Sequence, residues 1–216
     1  MPSPLGHALA SAVIYKYRNP SPWMSDWKKL LFCLFAGISP DLDFIPGFML
    51  GNKEMFHHRY SHTFTGAFLI AVCLWGLFGL GRRTWKRSDL FLFSMIVLIH
   101  PVMDVVCIDT SAPYGCPLLY PFKRDFWLSP FVFFQDIHRA SLRDFLLGSN
   151  NLLAFWIEFI FFLPQLIVLT FFQLHPKRNW FWIGAWLTSL CVIMYYLHIS
   201  VVTSDGIEFF RVIGGK

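Results

Sequence analysis

The sequence predicts an all-α fold: a polytopic membrane helix bundle of about five transmembrane helices plus a short N-terminal helix. Three observations carry this expectation. The 216 residues are 56% hydrophobic and 19% aromatic but only 14% charged, whereas roughly a quarter of an average soluble chain is charged. Apolar runs at 27–50, 63–81, 90–108, 152–174 and 180–202 each reach about the 20 residues that a bilayer crossing needs. Basic residues gather in the connections between those runs, where they set membrane orientation and give no reason to expect nucleic acid as a partner. No linker, repeat or low-complexity stretch divides the chain, so residues 1–216 read as a single domain with its motifs in 1–125.

Residues 5–15 are apolar but too short for an independent span, and they form the expected N-terminal helix. The run at 27–50 follows Ser25 and Asp26, both N-cap formers. It is interrupted by Ser39-Pro40-Asp41 and by Pro46-Gly47, and broken backbone at membrane depth is tolerated only inside protein or beside a cavity. Gly51 and Gly81 are expected to stop the first two spans, and Ser88 and Asn150 or Asn151 to cap the third and fourth. Pro164 is expected to kink the fourth. No basic segment precedes an apolar core at the N-terminus, so no removable signal peptide is expected.

Arg82, Arg83, Lys86 and Arg87 crowd one connection, Lys177 and Arg178 another, and Lys16, Arg18, Lys28 and Lys29 flank the first span. The positive-inside rule makes these ends cytoplasmic. The opposite side then carries 52–61, the loop 109–150 and the C-terminus. Five cysteines without CxxC spacing leave Cys33, Cys73 and Cys191 as small core residues, and Cys107 and Cys116 free to pair on an oxidising side.

Against this apolar background, three stretches pair residues that ligate metals: Asp41 and Asp43 in Pro40-Asp41-Leu42-Asp43, His58 and His62 around Arg59-Tyr60-Ser61, and His100 and Asp104 around Pro101-Val102-Met103. Partners four apart share a helix face, and a proline break aims two carboxylates at one centre. With the orientation above, all three pairs lie at the outer ends of their spans, and His7 joins them if the N-terminal helix runs inward. Ionisable groups at such depth are costly and mark function. Mixed imidazole and carboxylate donors suit Zn²⁺, Mn²⁺ or Fe²⁺, and seven of them are too many for one tetrahedral zinc and favour a two-metal site that would clamp a phosphoester. The alternative is a buried polar network that ties helices together.

Glu158, alone in an apolar span, is a candidate general base, a partner orienting a ligand histidine, or one end of an interhelical hydrogen bond. Arg59, between two candidate ligands, suits a phosphate contact because its planar fork matches oxyanions. His57 is a spare, His198 shares the outer depth, and Asp136, His138 and Asp144 read as solvated loop residues. Residues 115–124 join turn formers to aromatic and basic side chains, as membrane anchors or as a contact for an anionic headgroup. No GxSxG, HExxH, Walker A or Gly-rich dinucleotide loop occurs, which argues against serine hydrolases, gluzincins and nucleotide enzymes.

The order of these pieces resembles the bacterial inner-membrane metal-dependent hydrolase family, also described as LexA-binding. His7, Asp41, Asp43, His58, Arg59, His62, His100 and Asp104 fall on its pattern, which continues through Gly115, Pro117, Pro121 and Phe122. Tyr60 stands where the family has a small residue, and the stretch from Asp104 to Gly115 is longer than usual; both bear on the entrance and leave the ligands intact. The resemblance implies a multi-pass protein of the bacterial inner membrane. It also implies a metal-dependent hydrolase; the donor set points to Zn²⁺ or Mn²⁺ and a phosphoester, and a site at the outer leaflet makes a phospholipid or isoprenoid phosphate in the lipid bilayer the first substrate expected. The competing expectations are a non-enzymatic metal- or partner-binding regulator, and a metal or proton transporter, which would need polar inner half-spans.

Overall fold

The computed structural model describes residues 1–19, 22–50, 59–109, 114–130, 132–137 and 142–171. Helix α1 (Pro4–Arg18) begins where the Gly6 N–H donates to Ser3 Oγ at 3.1 Å. Pro4 fits at the first helical position, where its missing N–H would have no partner in any case. Helix α2 (Trp27–Ile38) is capped by Asp26, which accepts from the Lys29 N–H at 3.2 Å. The predicted break then appears: Ser39–Asp43 tightens into a 3₁₀ segment and the chain resumes as α3 (Phe44–Met49). That change of pitch turns Asp41 and Asp43 to directions that one α-helix would not give them.

Thr63 caps α4 (Phe64–Arg82), accepting from the Gly66 N–H at 2.8 Å. Gly81 does not stop this helix; Arg83 ends it by adopting a left-handed conformation with φ 54°. Ser88 is not the cap of α5 (Arg87–Val105), which starts one residue earlier, after Lys86 and without a side-chain cap. Leu142–Leu147 form α6, and α7 (Ser149–Phe171) begins just before the expected asparagines and continues through Pro164. Helices α4, α5 and α7 are long and apolar enough to cross a membrane. The expected span at 180–202, with Cys191 and His198, lies outside the described residues.

The helices run alternately up and down. Basic connections meet at one end, where Lys29 Nζ lies 2.5 Å from Asp89 and Arg82 pairs with Asp26. There the indole N–H of Trp23 also donates to Thr170 of α7 at 3.1 Å. The short N-terminal helix occupies the centre of the bundle, packed on α2, α5 and α7. Small buried residues, Ala36 on α2 with Ala67 and Ala71 on α4, let backbones approach closely, as membrane helices require. Large apolar side chains such as Leu69, Leu77 and Trp156 point outward, 59%, 60% and 62% exposed, a surface suited to lipid.

After α5 the chain folds back over the other end. The Ile108 N–H donates to Phe134 at 3.0 Å, the Ser129 N–H to Val105 at 2.8 Å, and Cys116 exchanges backbone hydrogen bonds with Trp127. Gly115 makes this turn with φ 82°, and a Cβ there would sit 2.3 Å from the Trp127 carbonyl oxygen. Cys107 and Cys116 are buried free thiols, not a disulfide. Cys73 is exposed on α4, contrary to its expected place in the core.

Candidate metal centre

At the end opposite the basic connections, four elements deliver polar side chains to one buried point. His7 comes from α1, Asp41 from the 3₁₀ break, His62 from the residues just before α4, and His100 and Asp104 from α5. None is more than 5% exposed. His100 Nδ1 lies 2.7 Å from the Gly37 carbonyl oxygen. A carbonyl only accepts, so Nδ1 carries the proton and the Nε2 lone pair faces the cluster. His62 is oriented in the same way: its Nδ1 is 3.2 Å from Asp43 Oδ2 and 2.9 Å from Ser61 Oγ, and that hydroxyl also donates to Asp43.

Asp41 Oδ1 is 3.5 Å from His62 Nε2 and 3.5 Å from His100 Nε2. Asp104 Oδ2 is 3.6 Å from the first nitrogen and 3.4 Å from the second, and the two nitrogens are 3.3 Å apart. Donors about 2.1 Å from a tetrahedral ion stand about 3.4 Å from one another. These separations, each between an imidazole nitrogen and a neighbouring donor, therefore suit atoms around an ion better than carboxylates hydrogen-bonded to imidazoles, which would close to about 2.8 Å.

Both carboxylate oxygens of Asp41 and of Asp104, and both ring nitrogens of His7, are buried without a hydrogen bond. Buried polar groups are otherwise paired almost without exception, so this clustering of unpaired atoms is itself a sign of a ligand. His7 stacks on His100, with ring centres 3.6 Å apart, and its Nε2 lies 3.5 Å from Asp104 Oδ1. Two sets of metal-capable groups result, His62–His100–Asp104 and His7–Asp41–His100. They share His100, whose only available nitrogen is Nε2, so they converge on one principal centre with His7 at its edge.

Three carboxylates in a closed space demand positive charge, from a proton or from a cation.

Asp43, expected beside Asp41, instead stands behind His62 and addresses its far nitrogen. Glu158 is fully buried, but its carboxylate accepts from the Ser3 backbone N–H and hydroxyl. It thus ties α7 to the start of α1, the interhelical alternative among its expected roles. Arg59 lies outside the cluster, lining a cavity with Tyr60. His57 and His58 lie outside the described residues, as does His138; Asp136 pairs with the Met1 amine at 2.8 Å and is not merely solvated.

Ser3, Gly37 and Ser61 position the ligands, and composition alone did not mark them. Ser3-Pro4 carries a helix-start signature, and Ser61 adjoins His62, but nothing in the sequence singles out the Gly37 carbonyl.

No curated protein and no solved structure matches this chain. A family model described as YdjM inner membrane protein matches residues 3–202. The chain therefore belongs to the YdjM inner membrane protein family and is a protein of the bacterial inner membrane.

Proposed function

We propose that this inner-membrane protein is a metal-dependent hydrolase acting on a phosphoester of a membrane-associated substrate. The observation that carries the reading is the buried set of Asp41 Oδ1, His62 Nε2, His100 Nε2 and Asp104 Oδ2, in which each carboxylate oxygen lies 3.4–3.6 Å from both imidazole nitrogens and those nitrogens are 3.3 Å apart. A divalent cation of the Zn²⁺ or Mn²⁺ type, held by these residues, would supply Lewis acidity and a nucleophile active at neutral pH. The protein's part is to present two carboxylates and two imidazoles of fixed tautomer. Asp43 and the Gly37 carbonyl hold those imidazoles, since the partner behind a ligand histidine sets its orientation and basicity. His7, with no hydrogen bond at either nitrogen, is placed to accept or return a proton at the edge of the centre.

One observation favours a second reading. Four protein donors are as many as a structural metal site uses, whereas catalytic sites keep a position open. A regulator would hold metal and turn nothing over. The deciding experiment incubates purified full-length protein with phosphatidic acid and an isoprenoid phosphate, with and without added Zn²⁺ or Mn²⁺. Phosphate release that needs metal and disappears in Asp104→Asn is expected. Full metal occupancy without release from either lipid would favour the regulator.

A further inference from the structure

Beside the centre is a cavity of about 300 Å³, lined by Arg59, Tyr60, Pro117, Tyr120, Arg124 and Phe126. Its two walls come from distant segments that the fold ties together. The Phe64 N–H at the start of α4 donates to the Leu118 carbonyl at 3.0 Å, and the rings of Tyr60 and Tyr120 meet edge to face at 5.4 Å. The wall from α4's entry continues along the chain from Arg59-Tyr60 directly into Ser61 and the candidate ligand His62.

Among the described residues, neither arginine of this cavity makes an ion pair. Two arginines lining one small space favour an anion between them. Their planar, multi-donor heads match a phosphate bidentately, as a single ammonium does not. Two phenol rings and a phenylalanine supply the apolar wall and hydroxyl donors typical of a ligand pocket. The volume is at the small end for such pockets, about 300 Å³ upward, which fits a headgroup and leaves any acyl chain in the bilayer.

We propose that Arg59 and Arg124 together bind the phosphate of an anionic amphiphile, making this cavity the headgroup subsite beside the metal centre. What the bound anion is used for rests on the hydrolase reading; whether the cavity binds it does not. The shared chemistry is a phosphate monoester dianion, from a lipid or free in solution.

The test titrates purified full-length protein by calorimetry with dioctanoyl phosphatidic acid, dioctanoyl phosphatidylcholine and inorganic phosphate, with metal content measured in each sample. The proteins are wild type, Arg59→Gln, Arg124→Gln, the double variant and Arg59→Lys. Phosphatidic acid should bind at least tenfold more tightly than phosphatidylcholine. Each glutamine variant should lose tenfold or more in affinity, the lysine variant less, and all should keep wild-type metal content. Tighter binding of phosphatidic acid than of inorganic phosphate assigns the subsite to a lipid headgroup, and equal affinity assigns it to phosphate from either source. A double variant that binds phosphatidic acid within twofold of wild type overturns the proposal, as does loss of metal in Arg59→Gln, which would make the arginine a structural part of the centre. Arginine-dependent binding by protein that holds no metal would uphold the subsite and remove the hydrolase reading alone.

Discussion

His62 Nε2 and His100 Nε2 face each other across 3.3 Å, each ring carrying its hydrogen-bond acceptor on the opposite side. Two lone pairs so placed repel, and the arrangement is stable only with a positive charge between or beside them. Asp41 and Asp104 flank the same space without hydrogen bonds of their own. The surrounding elements hold this geometry, and individual substitutions separate its parts.

At Gly37 the backbone of α2 lies close against α1. A Cβ there would lie 1.9 Å from Ser11 Oγ and 2.8 Å from the His7 carbonyl. Gly37→Ala should therefore destabilise by roughly 1–3 kcal/mol, the usual cost of overpacking, and should loosen His100. Gly76, with nothing within 4 Å of its Cβ position, provides the control: Gly76→Ala should be neutral or raise stability by up to about 1 kcal/mol. Thermal unfolding in detergent, with metal content measured alongside, compares them.

Asp43 and Asp41 should behave differently although they are two residues apart. Asp43 orients His62, and loss of such a partner weakens metal affinity by about 10–100-fold. Asp41 faces the centre, so Asp41→Asn should abolish retention where Asp43→Asn only weakens it. Competition titration against a chelator of known affinity reads the difference; equal losses would place Asp43 among the ligands.

Glu158 is expected to act on folding. Glu158→Ala leaves the Ser3 N–H and hydroxyl without their buried acceptor, a loss of about 1–3 kcal/mol, while the folded fraction keeps its metal. Unchanged thermal stability together with lost phosphate release would instead make Glu158 a catalytic group.

The basic end should face the cytoplasm. A single cysteine introduced at Thr84, in a background where Cys73 and the other cysteines are replaced, should resist a membrane-impermeant thiol reagent in intact cells, and one at Lys123 should react. The reverse pattern would put the metal centre on the cytoplasmic side.

Much of the centre was legible because its signals are local. A proline break announced the 3₁₀ turn at Asp41, and four-residue spacing put His100 and Asp104 on one face of α5. What stayed hidden depends on tertiary contact. Residues 5–15 are too short for a span, yet α1 fills the middle of the bundle, because helix length measures spanning ability and not packing position. Asp43 looked equivalent to Asp41 until the 3₁₀ pitch separated their directions. Glu158 gave no sign of Ser3, 155 residues away in the chain. Arg83 ends α4 where Gly81 was expected to, since a left-handed cap can be taken by a non-glycine residue at some cost.

The central claim is that Asp104 holds a metal ion and does not merely join a hydrogen-bonded network, and metal content across two variants of the full chain tests it most directly. Asp104→Asn preserves shape and most hydrogen-bonding capacity but removes the charge that a cation needs. Asp104→Leu removes both. Elemental analysis of protein purified without chelator should find about one transition-metal ion per chain in wild type and almost none in Asp104→Asn, which still inserts and expresses. Full occupancy in Asp104→Asn, or a wild-type protein that neither retains nor takes up Zn²⁺ or Mn²⁺ while Asp104→Leu alone fails to fold, would contradict the metal centre.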